Sequence, residues 1–271
     1  MQRPPGAGTA LAAPPALAAD PLVAAVTGAA VRVLAPEAER TAVSGVPRTH
    51  LDALAAAGAY GLVGYEPDPA GGLTARQVVR EVHEVLAAVD PSTWFVWTQH
   101  VPAAKALLQA SGPAGAALRA SLLPALARGE RRATAGFAFL RRPRPPVTAE
   151  RVPGGWRLTG RMPWVTGWGL ADTLFVGAVT PSDEAVLALL DRSADGGGIS
   201  SVEGAPLWAM AGTHTARVEL RDVRVPDDRV VGLLPRADWI RDYDLENADA
   251  HDDGARPAEP AGGEVLLEAA D

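Results

Sequence analysis

The sequence predicts an α+β chain, an N-terminal all-α helical domain followed by a small antiparallel β-barrel or sandwich domain. Three observations carry this. Up to Gly129 the apolar residues recur at helical spacing, in runs joined by short loops. After Gly129, Pro and Gly become frequent and the apolar period falls towards two. Helices come first and strands later, which predicts segregated layers rather than a parallel α/β sheet. The implied organisation is a flexible leader over 1–20, a helical domain over 21–130 and a β-domain over 131–233. A linker and a disordered acidic tail complete it over 234–271.

The first helix is expected over Leu22 to Val33, apolar and Ala-rich, with Pro36 just beyond it. Pro47 opens a second, in which Leu51, Leu54 and Ala55 repeat at helical spacing and Gly58 and Gly61 mark the end. Val63 to Gly72 is a loop. Thr74 is a good N-cap for a third helix, whose stripe is Val78, Val79, Val82, Val85 and Leu86. Asp90-Pro91-Ser92 begins a fourth, running through Trp94, Trp97, Val101 and Ala104. A fifth covers Ala114 to Ala127, ended by Gly129. Strands are expected at Ala133 to Leu140, Val147 to Val152, Trp156 to Val165 and Thr173 to Val179. Three more are expected at Ala185 to Asp191, Ile199 to Val202 and Thr215 to Val223. Asp195 to Gly198 reads as a hairpin connection.

Composition narrows the function classes. The 271 residues are 48% hydrophobic and 21% charged, ordinary for a globular protein. The net charge of −7 disfavours a nucleic-acid partner. With no cysteine there is no disulfide framework, thiolate zinc site or cysteine nucleophile, which fits the cytoplasm. No apolar run approaches the ~18 residues of a membrane span, so no membrane partner is expected. Ala18-Ala19-Asp20 resembles a signal cleavage region. Pro4, Pro5, Pro14 and Pro15 interrupt any apolar helix there, which favours a leader.

Several motifs fail. His83-Glu84 lacks the second His of H-E-x-x-H, and the five histidines do not cluster, so no metal site is expected. Gly6-Ala7-Gly8 lacks the third Gly of a dinucleotide fingerprint, and no P-loop or G-x-S-x-G elbow is present. The aromatic group Trp94-Phe95-Trp97 with His100 reads as core packing ahead of pocket lining.

The most informative stretch is Gly154 to Thr180. In a strand Trp164 and Thr166 project to the same side, one a flat apolar surface and the other a hydroxyl. That pair suits a planar heteroaromatic ring with a polar edge. Gly154, Leu158, Gly160, Trp164, Thr166, Ala171 and Asp172 stand in the order and spacing of the middle domain of the acyl-CoA dehydrogenase family, which the segment resembles. Leu51 to Leu62 is similar to that family's second helix, Leu122 to Glu130 to its lead-in to the first strand, and Ala209 to Pro226 to the end of its β-domain.

The resemblance implies FAD as cofactor, with Trp164 on the flavin ring, Thr166 near its reactive nitrogen, and Val165 between them in the cofactor site. It implies α,β-desaturation of an acyl-CoA or acyl-carrier-protein thioester and a homo- or hetero-oligomer. The alternatives are a flavin-dependent monooxygenase of the same fold, or an inactive remnant or partner subunit. Two departures stand out. Phe137 to Pro146, F-A-F-L-R-R-P-R-P-P, replaces the family's T-E-P-x-x-G-S-D, so Arg141, Arg142 and Arg144 read as a solvated loop or as anion contacts. The family's C-terminal helical bundle, which carries its catalytic carboxylate, has no counterpart after Leu234. The catalytic residue is therefore unassigned, and Asp172 reads as structural.

Overall fold

The computed structural model describes residues 14–192, 198–202, 207 and 209–249. The expected leader up to residue 13, the tail from 250 and all of the expected hairpin turn except Gly198 lie outside these.

Helix α1 (Pro15–Ala19) already stands where the flexible leader was expected, with Leu17 buried. Asp20 then caps α2 (Pro21–Ala29), its carboxylate accepting from the backbone N–H of Leu22 and Val23 and from the Tyr65 hydroxyl. The helix does not stop before Pro36. It continues through a π turn at Ala30–Leu34 and a 3₁₀ turn at Ala35–Glu37 into α3 (Ala38–Ser44). The hydrogen-bond register restarts at the 3₁₀ turn, where Pro36 takes an early position and loses no partner by lacking an N–H. The continuous stretch Pro21–Ser44 is long and apolar enough to cross a membrane by length and composition, which corrects the expectation of no such run. Its Val23, Val26, Ala30 and Leu34 are buried in the helical core.

Helix α4 (Arg48–Ala56) ends at Gly58, whose φ of +80° turns the chain. Helix α5 (Ala75–Val89) starts with a full capping box, Thr74 with Gln77. The expected fourth helix is two, α6 (Pro91–Thr98) and α7 (Val101–Gln109), because Pro102 suits the first turn of a new helix and not the interior of an old one. Helix α8 (Gly112–Ala127) follows. Val78, Val82 and Leu86 of α5 meet α2 and Trp97 of α6 in one core.

The strands are β1 (Ala133–Gly136), β2 (Val147–Val152), β3 (Gly155–Val165), β4 (Thr173–Val179), β5 (Glu184–Asp191), β6 (Ile199–Val202), β7 (Ala216–Pro226) and β8 (Val230–Pro235). They form one eight-stranded sheet in the order β6-β7-β3-β2-β4-β5-β8, with β1 parallel to β4. Most pairings are antiparallel. Among the described residues the sheet ends at β6 and β8, so it is neither the closed barrel nor the two-sheet sandwich expected. β1 is shorter than expected because a 3₁₀ turn at Ala138–Arg141 replaces its second half, and β8 was not foreseen. Helix α9 (Arg236–Asp249) occupies what the sequence reading treated as linker.

Alternation within the strands sorts two cores. Leu174, Val176, Ala188 and Leu190 join Leu158, Met162, Val218 and Leu220 in the sheet's own core. Ala133, Ala135, Phe175 and Leu189 turn the other way and pack on Leu107 of α7 and Leu118, Leu122 and Leu126 of α8. Each such Leu contributes about 1.5–3 kcal/mol by leaving water.

A second junction is polar and very close. Val46 N–H, after α3, donates to the Gly212 carbonyl at 2.9 Å. A Cβ on Gly212 would collide with the Thr41 carbonyl oxygen of α3, which is fixed backbone. Gly212→Ala is therefore expected to lower unfolding stability by about 1–3 kcal/mol. Gly71→Ala, where a Cβ meets nothing, should stay within about 0.5 kcal/mol. Equal midpoints for the two variants in urea unfolding would contradict the close packing.

Candidate functional site

The sequence-predicted residues Trp164, Val165 and Thr166 are neighbours with three different environments. Trp164 is 54% exposed, Val165 is wholly buried in the sheet core, and Thr166 is 6% exposed. The ladder between β3 and β7 is irregular between Met162 and Val165 and closes at Val165 opposite Ala216. Thr166 lies beyond the strand, so the period of two does not run from residue 164 to residue 166. The sequence reading put Trp164 and Thr166 on the same side of one strand, and the strand ends between them at Val165. The indole is open to solvent and the hydroxyl is packed inward.

That hydroxyl belongs to a chain. Thr166 Oγ1 lies 2.9 Å from Thr215 Oγ1, which lies 2.8 Å from Thr213 Oγ1, which donates to the Met210 carbonyl at 2.7 Å. Each hydroxyl has one proton, and the carbonyl can only accept. Thr213 spends its proton on Met210, so Thr215 donates to Thr213, and Thr166 donates to Thr215. The Thr166 oxygen keeps only lone pairs for any further partner. The chain is held by a loop with strained corners, Met210 at φ +60° and His214 at φ +50°. Backbone hydrogen bonds lock it: Gly167 N–H to the Thr213 carbonyl at 2.9 Å and Trp168 N–H to the His214 carbonyl at 3.0 Å. His214 Nε2 also reaches the Val46 carbonyl at 3.1 Å.

Beneath Thr166 runs the main helix–sheet seam. Thr134 of β1 donates to the Thr166 carbonyl at 2.5 Å. Ala133 N–H donates to His100 Nδ1 at 3.2 Å, which fixes the His100 proton on Nε2. Arg132 reaches Asp52 of α4 at 2.5 Å and lies over the Tyr60 ring, while Tyr60 and His100 meet edge to face at 4.8 Å. Asp172 accepts from Arg132 N–H at 3.0 Å, in keeping with its expected structural role. Burial, with Arg132 nearby, pushes the His100 pKa down to about 4, and burial pushes Tyr60 up to about 12. Burial also lowers His50 and His83.

A larger hollow of about 550 Å³ lies between α7, the sheet and α9. Phe137, Phe175, Leu187, Trp239 and Tyr243 supply its apolar wall, with Lys105 on the rim. Trp239 and Tyr243 stack at 5.1 Å, and Phe137 meets both edge to face. This wall was not singled out from sequence, although the spacing of Trp239 and Tyr243, one helical turn apart, is readable. The Trp94 group stays out of it. Trp97 is core, and Trp94 donates to His83 Nδ1 at 3.2 Å. Helix α9 also engages the arginine loop. Arg141 pairs with Asp244 at 3.0 Å, and Arg236 donates to the Leu140 carbonyl at 3.1 Å and to Asp183 at 2.6 Å.

His100 gives the seam a pH signature. Its pKa is 6.5 unfolded and about 4 folded, so on acidification the unfolded chain takes the proton first. Its contribution is present above pH 6.5 and is lost as the pH falls towards 4, by up to about 1.4 kcal/mol per pH unit. His100→Gln should flatten the stability–pH curve in that window. An unchanged slope in urea titrations from pH 7 to pH 4 would rule out a neutral buried His100.

The sequence matches no protein-family model and no curated protein. The fold is similar to solved structures. Butyryl-CoA dehydrogenase from Megasphaera elsdenii aligns with a TM-score of 0.68 at 18% identity, over 83% of this chain and 61% of that one. Glutaryl-CoA dehydrogenase from Mycobacterium smegmatis, in complex with FADH2, aligns at 0.65 and 20% identity, over 79% and 55%. Dibenzothiophene monooxygenase (TdsC) from Paenibacillus sp. A11-2 aligns at 0.59 and 23% identity, over 79% and 53%. The chain thus spans between half and two-thirds of the length of these structures, and it has the helix-then-sheet fold found in acyl-CoA dehydrogenases.

Proposed function

We propose that this chain forms the helical and β parts of an FAD-dependent oxidoreductase acting on an acyl thioester carried by CoA or an acyl carrier protein. The observation that carries the reading is Trp164, a large indole 54% exposed at the end of a strand whose neighbour Val165 is fully buried. An aromatic face left open beside a buried hydroxyl chain fits a flat tricyclic ring. Trp164 would stack on the ring, and Thr166, its hydroxyl buried and directed to Thr215, would hold this stretch of the site in place from within. Arg141 and Arg236 are engaged within the fold, so they are not assigned to the cofactor's phosphates. When bound, FAD would supply the hydride acceptor for removal of hydrogen from adjacent carbons. The hollow between α7 and α9 would hold the acyl chain away from water. The catalytic carboxylate stays unassigned, and an oligomeric, cytoplasmic enzyme is part of the same reading.

A monooxygenase on this fold is the second reading, favoured by the hollow's aromatic wall of Phe137, Phe175, Trp239 and Tyr243. Rings of this kind suit an aromatic substrate.

With Trp164 open on one side, FAD should bind weakly and be lost during purification. Titration of the full chain with FAD should nevertheless saturate, and Trp164→Ala should weaken binding about 2–10-fold, the loss of one stacking contact. No saturable binding by the native chain would remove the flavoprotein reading. Anaerobic bleaching of added FAD by an acyl-CoA favours the dehydrogenase. Oxygen uptake with reduced flavin and an aromatic substrate, without such bleaching, favours the monooxygenase.

A further inference from the structure

The seam beneath Thr166 contains a small cavity of about 10 Å³, lined among others by Tyr60, His100, Arg132, Thr134 and Thr166. Two hydrogen-bond donors on this wall have no protein partner among the described residues, His100 Nε2 and Arg132 Nε. His100 Nδ1 already accepts from Ala133 N–H, so its second nitrogen is a donor. Arg132 uses another nitrogen for Asp52. His100 is 2% exposed and the Arg132 side chain 10%, and an unmet N–H there is costly.

The cavity holds about one probe sphere, the size required by a single water molecule and too small for an organic ligand. The charge balance also selects the occupant. Asp52 already answers the Arg132 guanidinium, and burial keeps His100 neutral, so no anion is called for. A water has two lone pairs for the two donors. Tyr60, Thr134 and Thr166, which also line the cavity, carry acceptor oxygens for its own protons.

We propose that one internal water occupies this cavity, accepting from His100 Nε2–H and Arg132 Nε–H. It joins the helices, through His100 and Tyr60, to β1 and to the residue that follows β3. It is a positioning element for Thr166, because Thr134 holds the Thr166 carbonyl from the same wall. This inference stands on the orphan donors and the cavity, and is independent of the flavin reading.

The test is a high-resolution crystal structure of the full chain, grown with and without sodium bromide. The expected result is one ordered oxygen within hydrogen-bond distance of both nitrogens, unchanged by bromide. His100→Phe, which fills the ring position without a donor, should lose that water. Water relaxation dispersion in solution should count one long-lived water fewer in His100→Phe than in the native chain. His100→Gln, which keeps an N–H, should retain it. A dry cavity in the native crystals, with either nitrogen bonded to protein, would overturn the proposal, as would an anomalous bromide peak at the site. If His100→Phe does not fold, the native crystals and the bromide arm decide the question alone.

Discussion

The structure depends on a polar seam between its two layers. An apolar contact would hold helices against a sheet but would tolerate sliding. Hydrogen bonds fix one register. Here Ala133 N–H on His100, Arg132 on Asp52 and Val46 N–H on Gly212 bind the helical part to β1 and to the loop before β7, and Thr134 on the Thr166 carbonyl ties β1 to the residue after β3. The apolar packing of Phe175 and Leu189 on Leu118 and Leu122 supplies driving force. The seam supplies position. Glycine at residue 212 and left-handed backbone at Met210 and His214 are the local concessions that let the loop approach α3 so closely.

Position matters because of what the seam surrounds. Thr166 is the first residue past β3, and without the strand ladder it relies on the loop hydrogen bonds and on Thr134. The hydroxyl chain ending at Met210 then sets the sense of the Thr166 hydroxyl. Trp164, two residues earlier, is left open. The exposed indole of Trp164, next in sequence to a buried Val165, is what the proposed ring-binding role rests on. The hollow under α9 is a separate resource, aromatic and remote in sequence from the W-x-T stretch.

Much of the fold was legible because its determinants are local. The Thr74 cap, the stripe of α5, the Gly58 and Gly129 stops, the alternation of β2 and the apolar run of β4 lie within a few residues of what they specify. The failures share a cause. Pro36 fails to stop a helix because the register restarts at the 3₁₀ turn in which it takes an early position, and Pro102 splits one because the chain can restart there. β8 and α9 are placed by β5 and by the loop after β1, partners far away in sequence. The open ends of the sheet could not be read from strands taken one at a time. The W-x-T residues read as one strand face in the sequence, and the strand ends between them at Val165. His100, Arg132 and Thr215 form their contacts across dozens of residues, and nothing in the spacing of the chain marks them as one cluster.

The seam's rigidity can be measured through the amides of Gly167 and Trp168, which donate to the Thr213 and His214 carbonyls. In native-state hydrogen exchange, a fixed seam predicts that both exchange only through global unfolding, with the same protection as ladder amides of β3 and β7. Exchange of these two amides by a low-energy local opening, while the ladder stays protected, would contradict a Thr166 held in place by the seam.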